Sequence, residues 1–379
     1  MNQIPLDAKG VIFVVSTSHM DWDWRATFEQ YYSIGITSRP NADPITPVRA
    51  TLDKAISLMQ DVSNPGYQFN LAEVAWLKRY LLDKPTLAPQ MVLLENKFFF
   101  LGGGITSPDN LVCNGEAFIR NYLTGRNYVK SIGLGNLLTD ICWIPDDFGH
   151  DPQLPVVLNA MGMKAVSFWR VPGNEPVPPD AYRPTDPKIK SVQDELFGNS
   201  VCFMWKAADG SVTLTQQMYN GRNCGYGIIF NQDGTHADTG ASTLNSFVQL
   251  GFKPASICDQ ELYVAPCGGD FSHPSFDLVR AVDVYNSKYY SSTGIYAVMG
   301  TFVEFADRLL EDTHQLRTIQ NLDASNFWTG YFATRVQLKI NQQRTVNQLM
   351  AAESLVTLLN AVSNLSVPVF TALTQQIET

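Results

Sequence analysis

The sequence is poor in the features that mark several protein classes. None of its six cysteines (Cys113, Cys142, Cys202, Cys224, Cys258 and Cys267) stands in a C-x-x-C pair, which argues against a thiolate zinc knuckle. Several lie inside apolar runs and read as buried free thiols of a reducing compartment. No stretch approaches the roughly 20 apolar residues of a membrane span. The N-terminus, MNQIPLDAKGVIFVVSTSHMD, lacks the basic segment of a secretion signal, and its one apolar run is too short to carry one. These absences read as a cytoplasmic chain with no membrane partner. Charge is scarce too, at 17% of 379 residues, and acidic in balance: 27 basic against 36 acidic side chains, a net −9. An acidic surface repels phosphate backbones, so nucleic acid is a poor partner. What is abundant excludes disorder: 45% of residues are hydrophobic and 11% aromatic, enough for a large core.

The apolar residues fall into short alternating units. VIFVVS (11–16) reads as a buried strand. Residues 46–62 carry helical spacing behind Thr46 and Pro47. YQFNLAE reads as a strand feeding the helix EVAWLKRYLL, and LAPQMVLLENK as a helix leading to the strand FFFLGGG. Residues 114–132 look helical, LLTDICWI (137–144) is a strand, 152–163 a helix and KAVSFWR (164–170) the next strand. Shorter strands are expected near 200–206, 212–217, 261–265 and 295–299, with a helix over 301–311. Such alternation predicts an α/β fold of parallel strands with helical crossovers. The number of units favours a barrel over an open sheet. Residues 171–199, with six prolines from Pro172 to Pro187, predict a long loop, of the kind that carries function. From Ala333 to Leu365 there is neither proline nor glycine, which predicts a long amphipathic helix or a helical hairpin whose apolar stripe needs a partner. That partner is the barrel, a second copy of the chain, or further domains. The expected division is 1–325 for the α/β domain and 326–379 for the helical segment.

Three polar turns, each behind a strand, carry the candidate chemistry. In SHMDWDW, His19 and Asp21 alternate along an extended segment and face one way. Imidazole nitrogen with carboxylate oxygen suits zinc or another divalent metal, and Trp24 offers a flat face for a sugar. In WIPDDFGHDP, Asp146 and Asp147 stand beside Phe148 at a strand end, where α/β folds place active sites. In APCGGDFSHP, Asp270 follows two glycines that let backbone approach a ligand. Each motif alone is also an ordinary turn. Together they supply what glycoside cleavage needs, two carboxyl groups. Asp146 and Asp270 are candidates for that pair, with His19, Asp21 and Asp146 as candidate metal ligands.

These segments resemble the N-terminal catalytic portion of glycoside hydrolase family 38, the retaining α-mannosidases. His19, Asp21 and Trp24 match the family's H-x-D-x-x-W, and WIPDDFGH matches its D-x-F-G segment. The resemblance makes Asp146, rather than Asp147, both nucleophile and zinc ligand. It places Arg170 on a substrate-side arginine and Asp270 on the acid/base position. NLAEVAWLKRYL, GGGITSPDN and FWTGYFATR (327–335) continue the likeness in order. It implies a seven-stranded β/α barrel followed by helices, with an α-mannoside or related glycan as substrate. Trp24, Phe148, Arg170 and Tyr219 would shape the pocket.

Two departures stand out. The family's fourth zinc ligand is a histidine beyond the FWTGYF-like segment, and this chain has no histidine after Trp328. His273, close to Asp270, is the nearest substitute. In the acid turn Gly269 replaces an aspartate, which removes one neighbouring negative charge. Two rival readings accompany the hydrolase: a metal-dependent carbohydrate deacetylase, although paired histidines at helical spacing are missing, and a non-catalytic sugar-binding module.

Overall fold

The computed structural model describes residues 4–22, 24–36, 45–170, 202–217, 236–249, 255–257, 260–311, 313–320, 322–325, 329–363 and 366–378. Tyr219, Trp328 and the proline-rich stretch 171–199 lie outside them. In chain order the elements are β1 (Gly10–Ser16), α1 (Phe28–Ser33), α2 (Val48–Gln60), β2 (Phe69–Leu71), α3 (Val74–Asp83), α4 (Ala88–Met91), β3 (Phe98–Phe100), α5 (Gly115–Ser131), β4 (Ile141–Trp143) and α6 (Leu154–Ala160). There follow β5 (Ala165–Phe168), β6 (Cys202–Lys206), β7 (Val212–Gln217), α7 (Ala237–Gln249), β8 (Ala255–Ile257), β9 (Gln260–Cys267), α8 (Leu278–Thr293), β10 (Ile295–Met299), α9 (Phe302–Leu310), β11 (Thr318–Gln320), α10 (Val336–Ser363) and α11 (Val367–Glu378).

The mixed α/β architecture expected from the alternating units is observed. β1, buried along its whole length, lies between β10 and β9 and runs parallel to both. Strands buried on both faces read as continuous apolar runs, as GVIFVVS does. A second sheet has the order β11-β6-β7-β5-β4, with β4, β5 and β7 mutually parallel. β2 and β3 form a parallel pair between the two sheets. Thr17, beyond β1, bridges in parallel to Asn70 of β2, and Phe100 of β3 bridges to Leu138 before β4. The strand ends that follow these bridges therefore share one side of the molecule. Among the described residues the ladders form two sheets and a pair, not one continuous ring of seven strands. Two antiparallel pairings, β6–β7 and β8–β9, were not expected.

Helix ends follow local chemistry. Thr27 with Gln30 and Thr301 with Glu304 make capping boxes that start α1 and α9. Asn114 caps α5, and Gly294 ends α8 in the left-handed region, donating to the Tyr290 carbonyl. One core packs α2, α3 and α8 against β1 and β2 through Leu52, Trp76, Tyr80, Phe69 and Tyr285. A second lies around Phe13, Trp143, Phe302 and Phe305.

The C-terminal segment forms the expected helices, α10 followed by α11. α10 has 28 residues and none is buried. Val336, Leu338, Ile340, Leu355 and Leu358 are all exposed. Gln343 donates to the Val112 carbonyl (3.1 Å) and Arg120 pairs with Glu353, which ties α10 to the loop before α5 and to α5 itself.

Candidate active site

The site forms where β1, β2, β4, β5 and β9 end. β1 and β9 pair in register from Gly10–Glu261 to Ser16–Cys267. The same register carried past the strands brings His19 beside Asp270. The His19 amide donates to the Gly269 carbonyl (3.1 Å), and the Phe271 amide donates to the His19 carbonyl (2.7 Å). Gly268 makes this approach possible. Its φ is +149°, and a Cβ there would stand 1.8 Å from the Thr17 carbonyl oxygen. β2 holds the other flank: Thr17 Oγ1 donates to the Asn70 carbonyl and Asn70 Nδ2 to the Ser16 carbonyl, each at 3.1 Å.

His19, Asp21 and Asp146 converge as the alternation of SHMD and the turn after β4 predict. One donor atom from each lies within 4.8 Å of the others. His19 is buried and turns Nε2 to Asp21 Oδ1 at 3.2 Å. Asp147, adjacent in sequence, points away: it is buried, and its Oδ2 accepts from the Asn110 amide (3.2 Å) and Nδ2 (2.8 Å). The turn that follows β4 at Pro145–Asp146 separates the two carboxylates. His273 does not join the cluster among the described residues.

Arg170, at the end of β5, closes the site on Asp146. Its Nε and Nη2 donate to Asp146 Oδ1 at 2.6 and 2.5 Å. The guanidinium also lies over the rings of Phe148 and Trp169, 4.6 Å from each centroid. Asp270 is exposed at the rim, and its charge reaches Asp146. Trp24 is 47% exposed, with the Arg25 guanidinium over one face of its ring at 4.2 Å.

Glu73 was not singled out in the sequence, yet it belongs here. It follows β2, is 2% exposed, and its Oε1 stands 3.5 Å from His19 Nδ1. The signal was present: like the other three turns, it is a carboxylate just past a strand end. The charges respond to one another. Burial opposes a charge on His19, but Asp21 and Glu73 outweigh it and hold its pKa well above 6.5. Burial raises Asp146, and His19 and Arg170 only partly offset this. Burial likewise raises Glu73, eased by His19. For Asp21 the pull of His19 and Arg170 exceeds the cost of burial, and its pKa falls.

Behind the site lies a buried polar layer. His150 stacks on Phe168 (3.9 Å between ring centroids), with its Nδ1 3.2 Å from Asn110 Nδ2. Tyr331 donates to Asp109 Oδ1 (3.1 Å), and its ring lies 5.2 Å from that of Phe148. The FWTGYF stretch thus touches the Asp146 turn.

Comparison with known proteins places the chain in a family. Alpha-mannosidase C of Dictyostelium discoideum is 31% identical over 156 residues, 40% of this chain and 13% of the relative. A probable alpha-mannosidase of Arabidopsis thaliana is 24% identical over 371 residues, 91% of this chain and 33% of the relative. The crystal structure of an alpha-mannosidase from Enterococcus faecalis V583 shares the fold, with a TM-score of 0.60 at 16% identity over 82% of this chain and 30% of that one. The chain thus spans about a third or less of the length of these relatives. Residues 9–321 match the glycosyl hydrolases family 38 N-terminal domain, and the chain belongs to that family.

Proposed function

We propose that the chain is the catalytic portion of a retaining glycosidase that cleaves α-mannosidic bonds with the help of a divalent metal. The observation that carries this reading is the convergence of His19, Asp21 and Asp146 within 4.8 Å, beside a turn that sets Asp270 against His19. The parallel strands that end at the site are then the wall of a seven-stranded β/α barrel within residues 1–325, with 326–379 as a helical appendage.

Asp146 is the nucleophile. Its carboxylate bonds to the anomeric carbon as the bond from that carbon to the leaving oxygen breaks. Asp270 gives its proton to that oxygen, and the product departs. Asp270, now a carboxylate, takes a proton from water, whose oxygen replaces Asp146 on the same carbon. Both side chains return to their starting states. Arg170 fixes the orientation of the Asp146 carboxylate through two donors on one oxygen. Trp24 supplies a stacking face for the sugar ring, and Phe148, Arg170 and Tyr219 complete the pocket.

His19, Asp21 and Asp146 fit a divalent ion such as zinc: one imidazole and two carboxylates, partly to fully buried, with more negative than positive charge. When bound, such an ion supplies Lewis acidity toward adjacent sugar hydroxyls. The test is hydrolysis of an aryl α-mannoside with and without a chelator. Hydrolysis that the chelator stops, and that added zinc restores, supports the reading. Hydrolysis indifferent to the chelator removes the metal from it. Glycan binding without cleavage favours a sugar-binding module.

A further inference from the structure

We propose that Glu73 is a positioning residue that holds the His19 ring so that Nε2, not Nδ1, is presented to a divalent cation. This rests on the metal site proposed above. The two ring nitrogens of His19 face different carboxylates: Nε2 lies 3.2 Å from Asp21 and Nδ1 lies 3.5 Å from Glu73. Asp21 belongs to the cluster of candidate ligands and Glu73 does not. Glu73 therefore stands on the far side of the ring from the cation position. An imidazole that binds a metal through one nitrogen commonly donates its other N–H to a carboxylate, which fixes the tautomer and the ring plane.

A buried carboxylate is costly unless something pairs with it. Among the described residues Glu73 Oε1 faces His19 Nδ1 at 3.5 Å, and His19 eases the cost of burying the carboxylate. The surroundings keep it in place. At the start of α3 the amides of Val74 and Ala75 donate to the carbonyls of Gly104 and Ile105 at 2.9 and 3.0 Å, which pins the backbone directly after Glu73. One turn later Trp76 Nε1 donates to the Met20 carbonyl at 3.0 Å. The first turn of α3 thus grips the ligand segment twice, through its backbone by Trp76 and through the imidazole by Glu73. A residue kept only for packing would not carry a charge here; an apolar side chain of the same size would fill the space at lower cost.

The test compares wild type with Glu73→Gln and Glu73→Ala in two readouts. The first is zinc affinity, measured by competition with a chromophoric chelator. The second is the thermal melt of the metal-free protein. Glu73→Ala is expected to bind zinc about 10- to 100-fold more weakly, Glu73→Gln to recover part of the loss through its remaining acceptor oxygen, and the Glu73→Gln metal-free melt to stay near that of wild type. Zinc binding by both variants within twofold of wild type overturns the proposal, as does a loss of affinity matched by collapse of the metal-free fold. A wild type that takes up no zinc overturns the metal reading itself, a result separate from the other two. A second measurement needs no variant: nitrogen chemical shifts of labelled histidine in the zinc-loaded wild type. A protonated Nδ1 and a metal-shifted Nε2 on His19 support the proposal, and coordination through Nδ1 overturns it.

Discussion

His150 makes the fold acid-sensitive in a way that can be worked out in advance. Its ring is 0% exposed and stacks on Phe168. Asn110 Oδ1 accepts from the Asp151 amide (2.9 Å) while its Nδ2 donates to Asp147 (2.8 Å). The amide is therefore oriented with Nδ2 toward His150, and Nδ1 of the ring must be the acceptor. The ring is neutral with its proton on Nε2, and burial pushes its pKa down to about 3. In the unfolded chain the value is about 6.5. As pH falls, the unfolded chain binds this proton first, so the stabilising effect is complete above about 6.5 and is lost as pH falls toward about 3. The slope is about 1.4 kcal/mol per pH unit, which makes the loss about 2 kcal/mol by pH 5. Urea unfolding at pH 7.5 and pH 5.0 would measure it in wild type and in His150→Asn. Asparagine keeps an acceptor for Asn110 and does not titrate. The variant should be less stable at pH 7.5, because the Phe168 stack is gone. Wild type should then lose about 2 kcal/mol more than the variant on moving to pH 5.0. Asp109 and Asp147 are raised by burial; they titrate with the opposite sign and are common to both proteins, so they cancel in the difference. Equal losses in the two proteins would refute the argument.

Further predictions concern the reaction and the turn that supports it. Asp146→Asn should abolish turnover, by about 10³-fold or more, with an unchanged circular dichroism spectrum; near-native rate would remove it as nucleophile. Asp270→Asn should slow aryl α-mannosides with poor leaving groups by about 10²- to 10⁴-fold and spare formation of the glycosyl-enzyme from activated ones. Equal slowing across the series would show that Asp270 does not protonate the leaving oxygen. Gly268→Ala should destabilise by about 2–4 kcal/mol, because Cβ would enter the Thr17 carbonyl at a positive φ, and the melting temperature would report it.

Where the sequence was legible, local chemistry decided the outcome. β1 is a single apolar run, β2 leads into α3 as expected, and α9 begins at a Thr–Glu capping box. α7 and α8 were not read at all. Their segments, ADTGASTLNSFVQ and LVRAVDVYNSKYYSST, are rich in serine, threonine, asparagine and β-branched residues, which have weak helix propensity. They are helical because Leu244, Phe247, Leu278 and Tyr285 pack into one core. LAPQMVLLENK gives only a single α-helical turn and a 3₁₀ turn. The three polar turns could be picked out because each puts a carboxylate past a strand end. The meeting of the His19 and Asp270 turns depends on the β1–β9 register, and that of the Asp146 turn on the placement of β4 beyond β3, which no local pattern encodes. Glu73 escaped notice for the same reason: its meaning depends on the side of His19 it faces.

The charges explain why these residues belong together. Asp21, Glu73, Asp146 and Asp270 gather around one imidazole and one guanidinium, and three of the four are largely removed from water. Like charges brought together in a poorly solvated space push one another toward the neutral form, and the raised values of Asp146 and Glu73 are in that direction. Arg170 offsets one carboxylate through two hydrogen bonds. His19 offsets a second when it holds a proton, as its raised pKa favours. A divalent cation would do more: it sets two charges against Asp21 and Asp146 and lets His19 bind as a neutral ligand. Glu73 then retains a donor in the Nδ1–H of His19. Under the proposed metal reading, the excess negative charge, which an apolar replacement would relieve at once, is balanced by the cation the site would hold. That places Glu73 with the ligands in function, although it is not one of them.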